Sequence, residues 1–308
     1  MGLFSPTFMK PGKGIDKDEP QLRSFFRFFD VFFRKFWHII RLNLIYALTM
    51  LPTFVIVFLL AGLVADTFFA MEKVQNLLQS MARQGAEYLN DPQTFEYEFS
   101  RLIVTFDLSI RFFIAFTFTI FWGMGPASAG FHRVLRSFSK EEHAWVWSDF
   151  KDAVKDNLKQ ALIVYLIDVL AFVIFFIAFL VYGQMPGPLG TLRYVILMLL
   201  FVYTLMHQYL YPIMVTFDLK LKDIYRNAML FAVGKLPSNL FVFLLLALIH
   251  FGSVFLCIQY GGAYTIPLLG TILVLELFVL LSFSGLLVNF NTYPKIKKYM
   301  IDPLPEQD

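Results

Sequence analysis

Four ionisable residues sit inside long apolar runs: Asp168, His207, His250 and Glu276. A charged side chain at the centre of a membrane helix costs roughly 2.5–3.5 kcal/mol on insertion scales, so each needs a partner or water. Glu276 and His250 fall near the middle of two successive apolar runs, at a depth where a shared proton would let both be buried. Two kinds of chemistry fit them. One is a polar ligand site or proton-coupled pathway within the bilayer; the other is a hydrogen-bonded structural pair that fixes helix packing. His132 and His143 flank a basic loop without a second pair at metal-ligand spacing, so no metal is expected. The chain carries no phosphate-binding glycine loop, no nucleophile elbow and no zinc-protease helix motif. It therefore reads as non-enzymatic, with no cofactor. Aromatic residues beside the basic loops, Trp145 and Trp147 among them, suit a membrane interface better than nucleic acid.

The elements that must hold these residues are membrane helices. Of the 308 residues, 58% are hydrophobic, 16% are charged and 38 are phenylalanine. Mean hydropathy is +0.63. The apolar residues gather into six long runs, which predicts an all-α polytopic bundle of six transmembrane helices. The lone cysteine, Cys257, lies inside one run and excludes an intrachain disulfide.

Taken in order, residues 1–22 read as a flexible tail and 23–38 as an amphipathic interfacial helix, with Phe25, Phe28, Phe29, Phe32 and Phe36 opposite Arg23, Arg27, Asp30 and Arg34. The membrane domain spans 39–290 and residues 291–308 form a basic tail. Span 1 runs from about Ile39 to Leu63 with a kink at Pro52, and span 2 from about Leu108 to Trp122. Between them, 64–107 keeps helical spacing on both sides of an Asn90-Asp91-Pro92 turn. A helix from Pro92 to Trp122 would be about 46 Å long, against a hydrocarbon core of about 30 Å, so this hairpin should project beyond the membrane. Gly123-Met-Gly-Pro ends span 2, and Ser139-Lys-Glu-Glu142 fits a capping box for an interfacial helix bearing Val146, Phe150, Val154 and Leu158. Spans 3 and 4 cover Ala161–Tyr182 and Tyr194–Val215, the latter breaking near Pro212. A second amphipathic segment, Leu221–Gly234, precedes spans 5 and 6 at Asn239–Tyr260 and Ile266–Val288, joined by Gly261-Gly262.

Lysine and arginine set the orientation. Of 26, 21 fall on the side of both termini and the two amphipathic loops, and five (Lys73, Arg83, Arg101, Arg111, Arg193) on the other. The positive-inside rule then puts both termini in the cytoplasm of a multi-pass cell-membrane protein. Asn43-Leu, Asn157-Leu and Asn239-Leu open spans 1, 3 and 5, and Pro126, Pro212 and Pro294 follow spans 2, 4 and 6. The pattern suits three tandem helical hairpins, and equally a chance recurrence of residues common at span ends.

Gly125-Pro-Ala-Ser-Ala-Gly-Phe-His-Arg-Val, Val146-Trp-Ser-Asp-Phe and Asn157-Leu-Lys-Gln-Ala-Leu resemble the YesL-like membrane proteins of Gram-positive bacteria, with Gly125, Pro126, Arg133, Trp147, Phe150 and Asn157 carrying the likeness. Phe29-Asp, Leu51-Pro and Tyr211-Pro are similar too. The resemblance implies a polytopic protein without assigned activity, often encoded near sugar-uptake and polysaccharide-degradation genes. Its expected role is an accessory or regulatory one beside a sugar-importer permease or other membrane protein. The outer hairpin 64–107 departs from shorter relatives. A small secondary transporter or channel using Glu276, His250 and Asp168 is the alternative.

Overall fold

A computed structural model describes residues 24–89, 94–260 and 264–302. The expected tail 1–22, the Asn90-Asp91-Pro92 turn and the Gly261-Gly262 turn lie outside them, as do residues 303–308 of the second expected tail. The described residues are helical with no strand among them, and the chain is a polytopic helical bundle. Five helical stretches are long and apolar enough to cross a membrane, six when one bent pair counts as a single span.

That bent pair is α2 (Phe36–Thr49) and α3 (Leu51–Phe69), which meet at 53°. The break falls at Met50, one residue before the Leu51-Pro52 pair, because proline withholds an amide donor and crowds the preceding turn. The amphipathic α1 (Ser24–Arg34) precedes them. Next come α4 (Glu72–Leu89) and the 28-residue α5 (Thr94–Phe121), which pack on each other and on α3. At about 1.5 Å per residue α5 is roughly 42 Å long, more than a hydrocarbon core of about 30 Å.

The predicted capping box is not one. Residues 126–139 are already a helix, α6 (Pro126–Ser139), and Ser139 sits at its end with Oγ donating to the Arg136 carbonyl. Pro126 at the first helical position and Gly125 at φ +60° explain why α6 starts there: proline presets the helical φ, and glycine takes a backbone angle that other residues resist. The next helix, α7 (Val146–Asp156), is started instead by Asp149, whose carboxylate accepts from the Trp145 amide at 2.9 Å.

Then follow α8 (Leu158–Gln184), a short 3₁₀ turn at Gly187–Thr191, α9 (Leu192–Met214) and α10 (Leu221–Gly234). The α9 helix runs through Pro212 instead of breaking there. Helix α11 (Leu236–Ala247) passes through a π-helical turn at Leu248–Gly252 into α12 (Ser253–Tyr260). Likewise α13 (Thr265–Leu275) passes through a π turn at Glu276–Leu280 into α14 (Leu281–Ile296), and helical backbone continues to Ile301, well into the stretch read as a tail.

Burial is uneven along the spans. On α8 it stops at Asp168, on α9 it covers Leu205–Met214, and no described residue of α12 or α13 is buried. The helices therefore pack at the basic end, where Ile39, Leu42 and Tyr46 meet Phe131, Leu135 and Leu286. Beside them Leu210, Ile213, Ile224 and Phe231 form a second cluster.

Candidate functional site

His250 and Glu276 are brought together from facing helices. His250 Nδ1 lies 2.8 Å from Glu276 Oε1, and its Nε2 lies 2.7 Å from Ser284 Oγ. His250 is fully buried and Glu276 is 6% exposed. Both contacts can be satisfied in two ways. With a carboxylate, Nδ1–H donates to Glu276 and the Ser284 hydroxyl donates to Nε2. With a carboxylic acid, Glu276 donates to Nδ1 and Nε2–H donates to Ser284. The second arrangement holds one proton more than the first, so uptake of a single proton, with the Nδ1 proton passing to Glu276, reverses the chain without moving a heavy atom. Glu276 Oε2 is buried without a partner.

Each residue of this pair sits in a π turn, the long-period helix that often marks functional positions. A π turn frees carbonyls from the ordinary i→i+4 ladder. Asn43 supplies what is missing: its Nδ2 donates to the carbonyls of Glu276 and Leu277 at 2.8 and 2.7 Å, and its Oδ1 accepts from the Ser282 amide at 2.6 Å. The fully buried Asn43 thus fixes the turn that aims Glu276.

Asp168 and His207 form a second pair. His207 Nε2 is 3.0 Å from Asp168 Oδ1, off the line a hydrogen bond requires. The well-aligned donor to that oxygen is the Tyr203 hydroxyl at 2.6 Å. Trp122 stacks on the His207 ring at 5.6 Å and 14°, and its indole N–H donates to Thr204 Oγ1. Asp168 Oδ2 and His207 Nδ1 have no partner.

His207 and His250 face one internal cavity of about 50 Å³, which His132 on α6 also lines. His132 stays uncharged: burial pushes its imidazole down to about 4 even though Asn289 bonds to it. Asn289 Nδ2 donates to His132 Nδ1 at 3.0 Å. Among the described residues no group of three or more His, Cys, Asp or Glu side chains is placed to hold a metal.

Three further arrangements carried no clear signal in the sequence. Asn239 accepts from the Tyr209 hydroxyl at 2.6 Å and donates to the Phe231 and Ala232 carbonyls in the last turn of α10. Lys295 bridges Tyr209, Ser238, Asn239 and Asn291. Glu141 takes Arg27 and Arg34 at 2.6 Å each, tying α1 to the end of α6. Of the three Asn-Leu pairs, Asn157 and Asn239 each bond a carbonyl of the preceding interfacial helix, whereas Asn43 reaches across to the π turn.

The family-like residues are structural in their contacts. The Gly125 amide donates to the Tyr211 hydroxyl at 3.1 Å, and Arg133 and Arg136 donate to the Val215 carbonyl. Phe150 is buried against Gly130, where any Cβ would come within 2.8 Å of it. Trp147 is 58% exposed. Residues 108–179, from within α5 to within α8, match a family model described as "Protein of unknown function, DUF624". No curated protein and no solved structure matches the chain.

Proposed function

We propose that this chain is a YesL-like accessory or regulatory component of a carbohydrate-uptake system in the cell membrane, with both termini cytoplasmic. The observation that carries the reading is the solid packing of the basic half. Its internal cavity is about 50 Å³, whereas small-molecule pockets are usually about 300–1,000 Å³. A sugar does not fit between the two histidines, and the wider recess of about 950 Å³ that Glu276 and His250 border is lined chiefly by phenylalanine, leucine and isoleucine, so a role beside the carrier suits this bundle better than the carrier's own. The match to a family of unknown function and the YesL-like motifs support the association. The excess of lysine and arginine supports the orientation.

The basic end offers surfaces for a partner. On α10, Met229, Leu230 and Val233 are exposed while Ile224, Ala228 and Phe231 face the core. Lys151 and Lys155 of α7 are exposed as well. Affinity purification from the native membrane after mild crosslinking tests the proposal. Importer permease subunits should accompany the wild type and be depleted with Leu230→Glu. Recovery of the protein alone under both conditions would refute the association.

A second reading, a small proton-coupled transporter or channel, draws on the two buried histidine–carboxylate pairs, whose histidines line one cavity. Proteoliposomes with an entrapped pH dye separate the two readings. Proton flux that Glu276→Gln abolishes would favour transport.

A further inference from the structure

The cavity that His207 and His250 both line has a mostly apolar wall, with polar side chains and unmet hydrogen-bonding atoms on part of it. His207 and Gln208, 3% and 6% exposed, both line it. His207 Nδ1 and Gln208 Oε1 are buried there without a protein partner. Leaving such an atom bare is costly, so something in the cavity answers them. Gln208 Oε1 can only accept, and the Gln208 amide is already committed to the Asn239 carbonyl at 3.0 Å. The missing group is therefore a donor. His207 Nδ1 takes either role according to its tautomer. Water meets both demands. A volume of about 50 Å³ compares with about 10–15 Å³ needed to admit one water and about 30 Å³ for its share of the liquid, which gives room for roughly two to four.

At the far wall stands Ser284, whose hydroxyl is bonded to His250 Nε2. A hydroxyl both donates and accepts, so it hands the hydrogen-bond chain from cavity water to His250 and then to Glu276. We propose that the cavity is a hydrated proton-binding site, in which a short file of water joins His207–Asp168 to His250–Glu276 so that the two pairs share one excess proton. The bound species are water and a proton, and no bond other than O–H or N–H is made or broken. The other titratable groups around the site are the phenols Tyr46, Tyr165, Tyr203, Tyr211 and Tyr225 and the uncharged His132. Lys295 is engaged by Ser238, Asn239 and Asn291. The site deepens the transport reading but stands without it, since a shared proton can be bound and not carried.

The test uses the full chain in lipid nanodiscs with ¹⁵N-labelled histidine, following the His207 imidazole against pH. In Glu276→Gln, the proton affinity of His207 should change by at least about threefold, because coupled sites titrate as a unit. Ser284→Ala, which interrupts the file and leaves the His250–Glu276 contact, should change it in the same sense. His207 curves that superimpose in wild type and both variants would overturn the proposal. Unaltered protein supplies an independent measurement by X-ray radiolytic labelling, in which bound water oxidises the side chains it touches. Cavity-lining Tyr46 and Leu246 should be labelled while Phe138 and Leu205, equally buried elsewhere, are not. Equal absence of label at all four would mean a dry cavity and would also overturn it.

Discussion

Replacing Asn43 should uncouple the Glu276–His250 pair without touching either member. Three buried hydrogen bonds depend on this side chain, two donated to the carbonyls of Glu276 and Leu277 and one accepted from the Ser282 amide. Interhelical hydrogen bonds in membrane proteins average about 0.6 kcal/mol and reach about 1.7, so three amount to roughly 2–5 kcal/mol. Asn43→Ala leaves all three backbone groups unmet. The cheapest relaxation is for Glu276–Leu280 to return to ordinary α-helical pairing. Removing a π turn deletes its extra residue from the ladder and rotates everything on one side by about 100°, one residue's share of a 3.6-residue turn. Glu276 would then swing away from His250. Asn43→Asp keeps the shape and the bond from Ser282 but sets a second oxygen against two carbonyl oxygens, so it should be at least as damaging. Unfolding in mixed detergent micelles measures the stability, and the ¹⁵N shifts of His250 report the pair. A loss below about 0.5 kcal/mol with unchanged His250 shifts would refute the assignment of Asn43 as the positioning residue.

Gly130→Ala would put a methyl group 2.8 Å from Phe150 Cδ2, the Phe150 carbonyl and Val154 Cγ2, forcing α6 and α7 apart. A loss of about 1–3 kcal/mol in micelle unfolding is expected, and a neutral result would disprove the close approach. Tyr203→Phe removes the aligned donor to Asp168 and should cost about 1–3 kcal/mol, with a change in the fluorescence of Trp122, which stacks on His207. Burial raises the proton affinity of Glu141, but its bonds to Arg34 and Arg27 outweigh that and hold its carboxyl below the ordinary value. Its contribution is thus present above the unfolded-state value and lost as the pH falls through the folded one. Amide exchange in α1 should quicken on acidification in wild type, and Glu141→Gln should be fast already at pH 7 and lose that dependence.

Much of this bundle is legible in the sequence because apolar length and cation placement act locally. The Leu221–Gly234 segment appears as α10 with those bounds, since its apolar period, its flanking Lys220 and its terminal glycine all point the same way. The kink near Pro52 follows from proline's missing donor. The false capping box shows the limit of such local reading. Ser139-Lys-Glu-Glu142 has the right residue types, yet Glu141 is drawn to Arg27 and Arg34, more than a hundred residues away in the chain. Depth along a span made contact between Glu276 and His250 an expectation, because two facing helices of one hairpin must bring equal depths together. Asp168 with His207 was visible only as two separate polar residues. Their meeting depends on the rotation of α8 against α9, which Tyr203 and Trp122 set. The role of Asn43 depends on a π turn in another helix, for which apolar runs carry no signal.

The uneven packing follows from the same physics. Lipid tails are as apolar as leucine, so apolar surface alone gives membrane helices no reason to associate. In the half away from the basic end, α8 offers Ile174 and Ile177 and α9 offers Leu197 and Met198, all exposed. In the basic half the same helices carry Tyr203, His207, Gln208 and Tyr209, joined by Asn43, Asn239, Ser128 and Gly130 from their neighbours. These either bond across helices or let backbones approach. On α8, α9 and the last span burial therefore ends where the hydrogen-bonding residues end, whereas α3, α4 and α5 pack on one another beyond it. Asp168 is the last buried residue of α8, and Glu276 marks the same boundary on the helix that continues from α13. Both carboxylates stand at the edge of the packed half, each with one oxygen engaged and one bare. A group needed only as glue would be satisfied by amides or hydroxyls, as Asn239 is. Two half-satisfied carboxylates, each beside a histidine that lines a common cavity, are the geometry on which the proposed shared proton rests.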